Sequence, residues 1–139
     1  MTVFVDTCAW CAAADRDDAS HARAAARLEE FTGQLITTDH ILIETWYLAA
    51  SRLGPDVAEQ LVNSIRAGIA RIENTLLLSD VEAAAATRAA FPAQDFSIVD
   101  RTSWSAKIRL GVHEAIAFDR DYSICRFGRG RAQAFTVHS

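Results

Sequence analysis

The sequence predicts an α/β fold, a single three-layer α/β/α domain over residues 1–139 with a central parallel sheet. Short apolar, β-prone runs alternate along the chain with longer segments of helical spacing, the order typical of parallel strands joined by helices. A length of 139 residues fits one domain of ordinary size. Half of the residues are apolar and 23% are charged, which excludes a disordered chain. No internal repeat or interdomain linker interrupts the pattern.

The first half of the chain predicts a β-α-α-β unit followed by two more helices. The apolar run 3–5 predicts the first strand, which ends at Asp6. Gly33 suits the end of the second helix, Asp39 can cap the third, and Pro55 suits the first turn of the fourth. The predicted elements after the first strand are helices 8–14 and 20–33, strand 34–38, helix 39–52 and a helix from 55.

The second half predicts three more strands and two more helices. A β-prone run covers 72–78, and the Ser79 and Glu82 pair has the spacing of a capping box that opens an alanine-rich helix ending near residue 92. Ser97 opens a further helix that Gly111 closes. Residues 114–118 predict a strand that ends at Asp119, and residues 134–137 predict a last strand.

Charge is distributed unevenly along the chain. Residues 1–100 hold 7 Arg and 15 Asp and Glu, a net −8, whereas residues 101–139 hold 7 Lys and Arg and 3 Asp and Glu, a net +4. A basic C-terminal third is compatible with a polyanionic partner, and a solvated basic face is the equal alternative. No apolar run reaches the roughly 18 residues that a membrane span needs, and no signal peptide is evident, so we expect a cytoplasmic protein with no membrane partner.

Four acidic residues are candidates for one site. Asp6 and Asp119 each follow an apolar strand, and Glu44 is an isolated charge in a helix so apolar that we expect it to be largely buried. Asp100 follows Ser97 by three residues. Local alternatives remain for three of them: Glu44 can pair with an arginine or reach solvent at a helix edge, Asp100 can complete a capping box, and Asp119 can form a turn.

Four carboxylates in one cleft would repel one another unless a cation neutralised them. Oxygen ligands of this kind suit Mg²⁺ or Mn²⁺. Such a metal site can activate water and stabilise negative charge on a phosphate group during hydrolysis. The residues alone therefore favour phosphoryl chemistry dependent on Mg²⁺ or Mn²⁺.

The ordered set of motifs resembles the PIN domain family, and within it the VapC-type toxins of bacterial toxin-antitoxin pairs. The motifs are Val5-Asp6-Thr7, the isolated Glu44, Asp100 in the run 96–100, and Asp119 in the run 117–121. The resemblance covers nearly the whole chain. It implies a metal-dependent endoribonuclease with a catalytic quartet of Asp6, Glu44, Asp100 and Asp119, of which Asp6, Asp100 and Asp119 are the expected metal ligands.

The resemblance also implies supporting residues and partners. Thr7 matches a Ser or Thr position that supports the site, and Asp121 is a second supporting candidate. The partners implied are an RNA substrate, a cognate antitoxin protein and a second copy of the chain in a homodimer. Independently of the family, basic residues of the C-terminal third are candidates for phosphate contacts, and we expect these at Arg101, Lys107 and Arg120.

Three other functions remain as alternatives. The chain can be an RNA-processing PIN nuclease that is not a toxin, or a PIN-like domain that binds RNA or protein without cutting. Cys8 and Cys11 form a Cys-x-x-Cys motif at a helix start, which also suits a thiol-disulfide oxidoreductase. Small apolar packing residues are the preferred interpretation of these cysteines. A zinc site with His21 or His113 lacks a second ligand pair at a recognisable spacing.

Overall fold

A central sheet of five parallel strands organises the chain. We analysed a computed structural model, which describes residues 1–74, 78–118, 126–127 and 133–139. The strands are β1 Val3–Val5, β2 Leu35–Thr38, β3 Arg71–Glu73, β4 Glu114–Ile116, β5 Arg126–Phe127, β6 Gln133–Ala134 and β7 Thr136–His138. In the central sheet they stand in the order β3-β2-β1-β4-β7, and a short antiparallel pair, β5 and β6, lies outside this sheet.

Helices in the described ranges connect and flank these strands, as the predicted α/β fold requires. A π-helical turn at Ile65–Ile69 follows the fourth helix and contains Gly68 at a positive φ of 124°. The helices are α1 Thr7–Ala14, α2 His21–Glu30, α3 Asp39–Leu53, α4 Pro55–Ser64, α5 Leu78–Ala90 and α6 Ile98–Leu110. The predicted three-layer fold with a parallel sheet is confirmed.

Local signals explain several element boundaries. The Ser97 hydroxyl accepts a hydrogen bond from the amide of Asp100 at 3.0 Å, and Gly111 ends α6 in the left-handed region, both as predicted. The predicted cap at Asp39 is wrong by one residue. Thr38 is the N-cap of α3, because its side chain accepts from the Ile41 amide.

Two predicted strands differ from those observed. Of the described residues in the β-prone run 72–78, the first two belong to β3 and Leu78 begins α5. The predicted strand 134–137 is divided into β6 and β7, with Phe135 between them. Phe135 is buried in the main core instead of continuing a single strand.

The core lies on both faces of the central strands. All three residues of β1 are buried, as expected for the middle strand of a parallel sheet. Trp10 from α1 and Trp104 from α6 are the largest buried side chains. The N-terminal strand is therefore held between neighbours on either side, and its end is fixed in position by the core.

The prediction that α3 is largely buried is wrong. Ile41, Thr45 and Ala49 form its buried stripe, whereas Tyr47 is 74% exposed and Ile43 is 64% exposed. One face of α3 thus carries apolar side chains into solvent. Within the described ranges, no helix is long and apolar enough to cross a membrane.

Candidate active site at the carboxyl edge of the sheet

Asp6 lies where β1 ends and α1 begins. Its amide donates to the Ile116 carbonyl at 3.1 Å, and its carbonyl accepts from the amides of Ala9 and Trp10. These backbone bonds hold Asp6 at the carboxyl edge of the sheet, and its side chain is only 3% exposed. Asp6 is the N-cap of α1 by backbone geometry, yet its carboxylate makes no capping hydrogen bond to the helix. The Asp6 carboxylate is thus buried at the sheet edge and does not cap α1.

The strand that precedes Asp119 is the direct neighbour of β1. β4 pairs with β1 in parallel, with Val5 opposite Ile116. The two strands therefore end side by side at the same edge of the sheet. Asp119, together with the predicted supporting residue Asp121 and the predicted phosphate contact Arg120, lies outside the described residues.

Glu44 is half-buried on α3 and approaches the first turn of α1. Burial raises the pKa of Glu44, and the hydroxyl of Thr7 partly opposes that rise. Thr7 is itself buried, and its oxygen makes no hydrogen bond of full geometry within the described residues. The Thr7 hydroxyl therefore acts on the Glu44 carboxylate electrostatically, without a direct hydrogen bond between them. No lysine or arginine of the described ranges forms an ion pair with Glu44.

Cys11 of α1 lies within electrostatic range of both Asp6 and Glu44. Burial is the main cause that raises the pKa of the Cys11 thiol; Arg52 opposes the rise, and the charges of Glu44, Asp18 and Asp6 add to it. Both candidate carboxylates are thus within electrostatic range of one sulfur atom. A raised thiol pKa disfavours the thiolate of Cys11, so this buried cysteine is not an activated nucleophile.

Asp100 lies in the first turn of α6, which packs against α3. Its amide bonds to Ser97, so one half of a capping box is formed. The side chain of Asp100 is half-buried. Its neighbour Val99 lines the same cavity as Glu44. The fold therefore brings the Asp100 turn beside the helix that carries Glu44.

The donor atoms at this edge suit a hard divalent cation. Buried carboxylate oxygen and the unsatisfied hydroxyl oxygen of Thr7 are the kind of ligand that Mg²⁺ and Mn²⁺ prefer. In the described ranges, no three His, Cys, Asp or Glu side chains are close enough together to hold a metal ion by themselves. The expected ligand set includes Asp119, which those ranges do not contain.

Two residues that were predicted to contact phosphate, Lys107 and Arg101, make contacts within the protein instead. Lys107 is 1% exposed, and its Nζ lies 3.9 Å from the ring centroid of Phe135 and 3.5 Å from the Glu114 carbonyl oxygen. Burial among core groups contradicts the predicted contact with RNA. Arg101 donates through Nη1 to the Ala84 carbonyl at 2.9 Å, which ties α6 to α5 and argues against a phosphate contact as well.

A cavity beside Glu44 was missed by the sequence analysis. Its volume is about 530 Å³. The side chains that line it are His40, Ile43, Glu44, Tyr47, Ile98 and Val99. The four-residue spacing of His40 and Glu44 on one helix was the signal available in the sequence, and it is too common to be decisive alone.

Comparison with known proteins places these features in a family. The PIN domain matches residues 3–128. The 23S rRNA-specific endonuclease VapC20 of Mycobacterium tuberculosis, from strains CDC 1551 / Oshkosh and ATCC 25618 / H37Rv, is 30% identical over 126 residues, which are 90% of this chain and 95% of the relative.

Solved structures agree with this match. The crystal structure of Mycobacterium tuberculosis VapC20, described as a sarcin-ricin loop cleaving toxin, is 28% identical and superposes with a TM-score of 0.84 over 91% of this chain and 97% of that one. A DNA-bound VapBC from Salmonella typhimurium has a TM-score of 0.59 at 15% identity, over 84% and 85% of the two chains. At that identity the second similarity shows the fold alone.

Proposed function

The chain belongs to the PIN domain family, and we propose that it is a metal-dependent endoribonuclease, the toxin of a toxin-antitoxin pair. One observation carries the proposal. Asp6 is buried at the end of a strand whose parallel neighbour leads to Asp119, while Glu44 approaches Thr7 beside it. Carboxylates gathered at that edge match the oxygen ligands of Mg²⁺ or Mn²⁺.

The proposed reaction is hydrolysis of an RNA phosphodiester bond. Asp6, Asp100 and Asp119 would hold a divalent ion, whose positive charge would neutralise the carboxylates and stabilise negative charge on the phosphate oxygens. Glu44 is the candidate general base, because it lies beside Thr7 at this edge and burial raises its pKa above the ordinary value, which makes the carboxylate a better proton acceptor. The attacking water transfers a proton to the Glu44 carboxylate as its oxygen bonds to phosphorus, and the bond from phosphorus to the leaving ribose oxygen breaks.

Thr7 and the backbone at the end of β1 orient the carboxylates of Glu44 and Asp6. The hydroxyl of Thr7 is buried beside Glu44 and favours the ionised carboxylate. The backbone bonds of Asp6 to Ile116, Ala9 and Trp10 hold its side chain at the sheet edge. We assign Asp121 a supporting role next to Asp119 and Arg120 a phosphate contact, both on the resemblance and the basic charge of the C-terminal third.

The proposed substrate is structured RNA. The relative VapC20 is named for action on 23S rRNA, and its crystal structure for cleavage of the sarcin-ricin loop. We propose a ribosomal RNA loop as the substrate class here. A cognate antitoxin protein, a second copy of the chain in a homodimer and a cytoplasmic location complete the proposal, on the strength of the VapC-type resemblance.

Asp6→Asn tests the reaction because the amide keeps the shape of the carboxylate and removes its charge. Cleavage of structured RNA in Mg²⁺ or Mn²⁺ should fall at least about 100-fold, since even residues that only orient metal ligands contribute 10- to 100-fold. EDTA should abolish wild-type cleavage. Asp17→Asn, the same change at an exposed loop residue, is the matched control and should retain full activity.

Two outcomes would contradict the mechanism. Unchanged cleavage by the Asp6 variant, or wild-type cleavage that persists in EDTA, excludes a metal site at this edge. A wild-type protein that binds RNA but cuts none in either metal would instead favour a non-enzymatic PIN-like binding domain. Thermal unfolding of both variants shows whether any loss of activity reflects loss of structure.

A further inference from the structure

We propose that the cavity beside Glu44 binds one unpaired base of the RNA substrate, with Tyr47 as its stacking surface. This inference rests on the proposed ribonuclease function. It assigns a stacking role to Tyr47 and a positioning role to His40, both of which lie outside the acidic quartet. The apolar walls of the cavity, the bond that holds them together and the position of the cavity beside Glu44 support this assignment.

The walls of the cavity suit a planar, apolar face. Ile43, Tyr47, Ile98 and Val99 line it, and Tyr47, Ile43 and Ile98 are 74%, 64% and 52% exposed. Single-stranded RNA is recognised largely by stacking of unpaired bases on aromatic side chains. A volume of about 530 Å³ lies in the range of roughly 300 to 1,000 Å³ that is usual for small-ligand sites, so a single nucleoside fits.

His40 ties one wall of the cavity to α6. The Thr102 hydroxyl lies 2.9 Å from the Ile98 carbonyl and donates to it, so its oxygen accepts from Nδ1 of His40 at 3.1 Å. The surface of the cavity is almost wholly apolar, so it offers a base a stacking face and few polar contacts.

The position of the cavity identifies its occupant. Glu44 belongs both to the cavity and to the candidate active site, so a group that fills the cavity lies beside the reacting phosphate. In a nuclease, the group directly attached to that phosphate is a nucleotide of the substrate. The fixed contact between His40 on α3 and Thr102 on α6 keeps the cavity walls in register, as a specificity pocket requires.

An abasic scan combined with Tyr47→Ala tests the inference. The cleavage position is first mapped with wild-type protein on a structured RNA in Mg²⁺, and each nucleotide near it is then replaced by an abasic one. One abasic position should lower wild-type kcat/KM by about 5- to 150-fold, because stacking on an aromatic ring contributes 1 to 3 kcal/mol per base. Tyr47→Ala should cause a similar loss on intact RNA and little further loss on the abasic RNA.

Matched variants separate the cavity from the rest of α3. Trp46→Ala removes a neighbouring exposed aromatic side chain that does not line the cavity. It should retain the full abasic effect. Tyr47→Phe keeps the ring and should cleave intact RNA at nearly the wild-type rate. Truncation of Tyr47 removes no core contact of this exposed side chain, and the midpoint of thermal unfolding checks that the variant is folded.

The outcomes distinguish this inference from the proposed function. If wild-type protein cleaves RNA but the losses from Tyr47→Ala and the abasic position multiply independently, the base does not bind at Tyr47 and the inference is refuted while the nuclease stands. If Tyr47→Ala weakens only the binding of a protein partner, the cavity is a protein-docking site and the inference is equally wrong. If the wild-type protein cleaves no RNA, the proposed function fails and the inference fails with it.

Discussion

Glu44→Gln should make the protein more stable at neutral pH while it removes cleavage. The change replaces a half-buried carboxylate with an amide of nearly the same shape. If Glu44 is the general base, kcat should fall about 10²- to 10⁴-fold, the range typical of positioned acid-base groups. At 1.36 kcal/mol per factor of ten, this corresponds to roughly 3 to 5 kcal/mol of transition-state stabilisation.

The stability change has a sign that depends on pH. Burial raises the pKa of Glu44 in the folded protein above its ordinary value, so the folded state binds the proton more tightly than the unfolded state. The contribution of Glu44 to stability is then most favourable below the ordinary pKa of about 4.3, and it declines as the pH rises through the raised pKa. Gln does not titrate, so the free energy of unfolding of the variant increases relative to that of the wild type as the pH rises.

Urea denaturation in EDTA between about pH 4.5 and pH 8 measures this difference. EDTA is needed because a bound cation would favour the ionised carboxylate and hide the effect. Glu59→Gln, the same substitution at an exposed position of α4, should show neither the pH-dependent gain nor the loss of cleavage. A Glu44 variant that cleaves RNA normally, or that is less stable than the wild type by the same amount at every pH, would refute the reasoning.

Two further predictions concern buried charged residues that lie outside the candidate active site. Asp80 is 1% exposed and accepts hydrogen bonds from Ser105 and from two nitrogen atoms of Arg109 at 3.0 to 3.2 Å. Asp80→Asn should lower the free energy of unfolding by about 2 to 3 kcal/mol, less than for a fully buried pair because Arg109 is one-third exposed. Thermal denaturation measures this loss, and cleavage at 25 °C should be unchanged. Lys107→Met replaces the buried ammonium with an apolar side chain beside Phe135. Because Lys107 is only 1% exposed, a folded variant should keep cleavage within about twofold of the wild type. A large loss of cleavage by a stably folded Lys107→Met protein would restore the discarded phosphate contact.

Much of the fold could be predicted because its signals are local. The apolar run before Asp6, the Ser97 cap and the glycine after α6 depend on residues within a few positions of one another. Alternation of strands and helices then leads to a parallel sheet, which places strand ends at one edge. The position of Asp6 at that edge followed from these rules alone.

The errors arose where burial depends on distant segments. The apolar composition of α3 indicated burial on all sides, but only the face that contains Ile41 and Ala49 meets the core. Lys107 looked like a surface charge because the sequence does not show that the rings of Phe4 and Phe135 cover it. Nothing in the local sequence indicated that Asp80 is buried in an ion pair, since its partner Arg109 is 29 residues away.

The sequence by itself determined the α/β class, the parallel sheet and the candidate acids, because strand and helix periodicity and turn chemistry are properties of neighbouring residues. Only the tertiary structure decided which side chains share a space. It joined α3 to α6 through His40 and Thr102, 62 residues apart, and opened beside Glu44 a cavity whose walls come from both helices. Side-chain packing between remote segments is what creates a pocket, and the pattern along one segment does not record it.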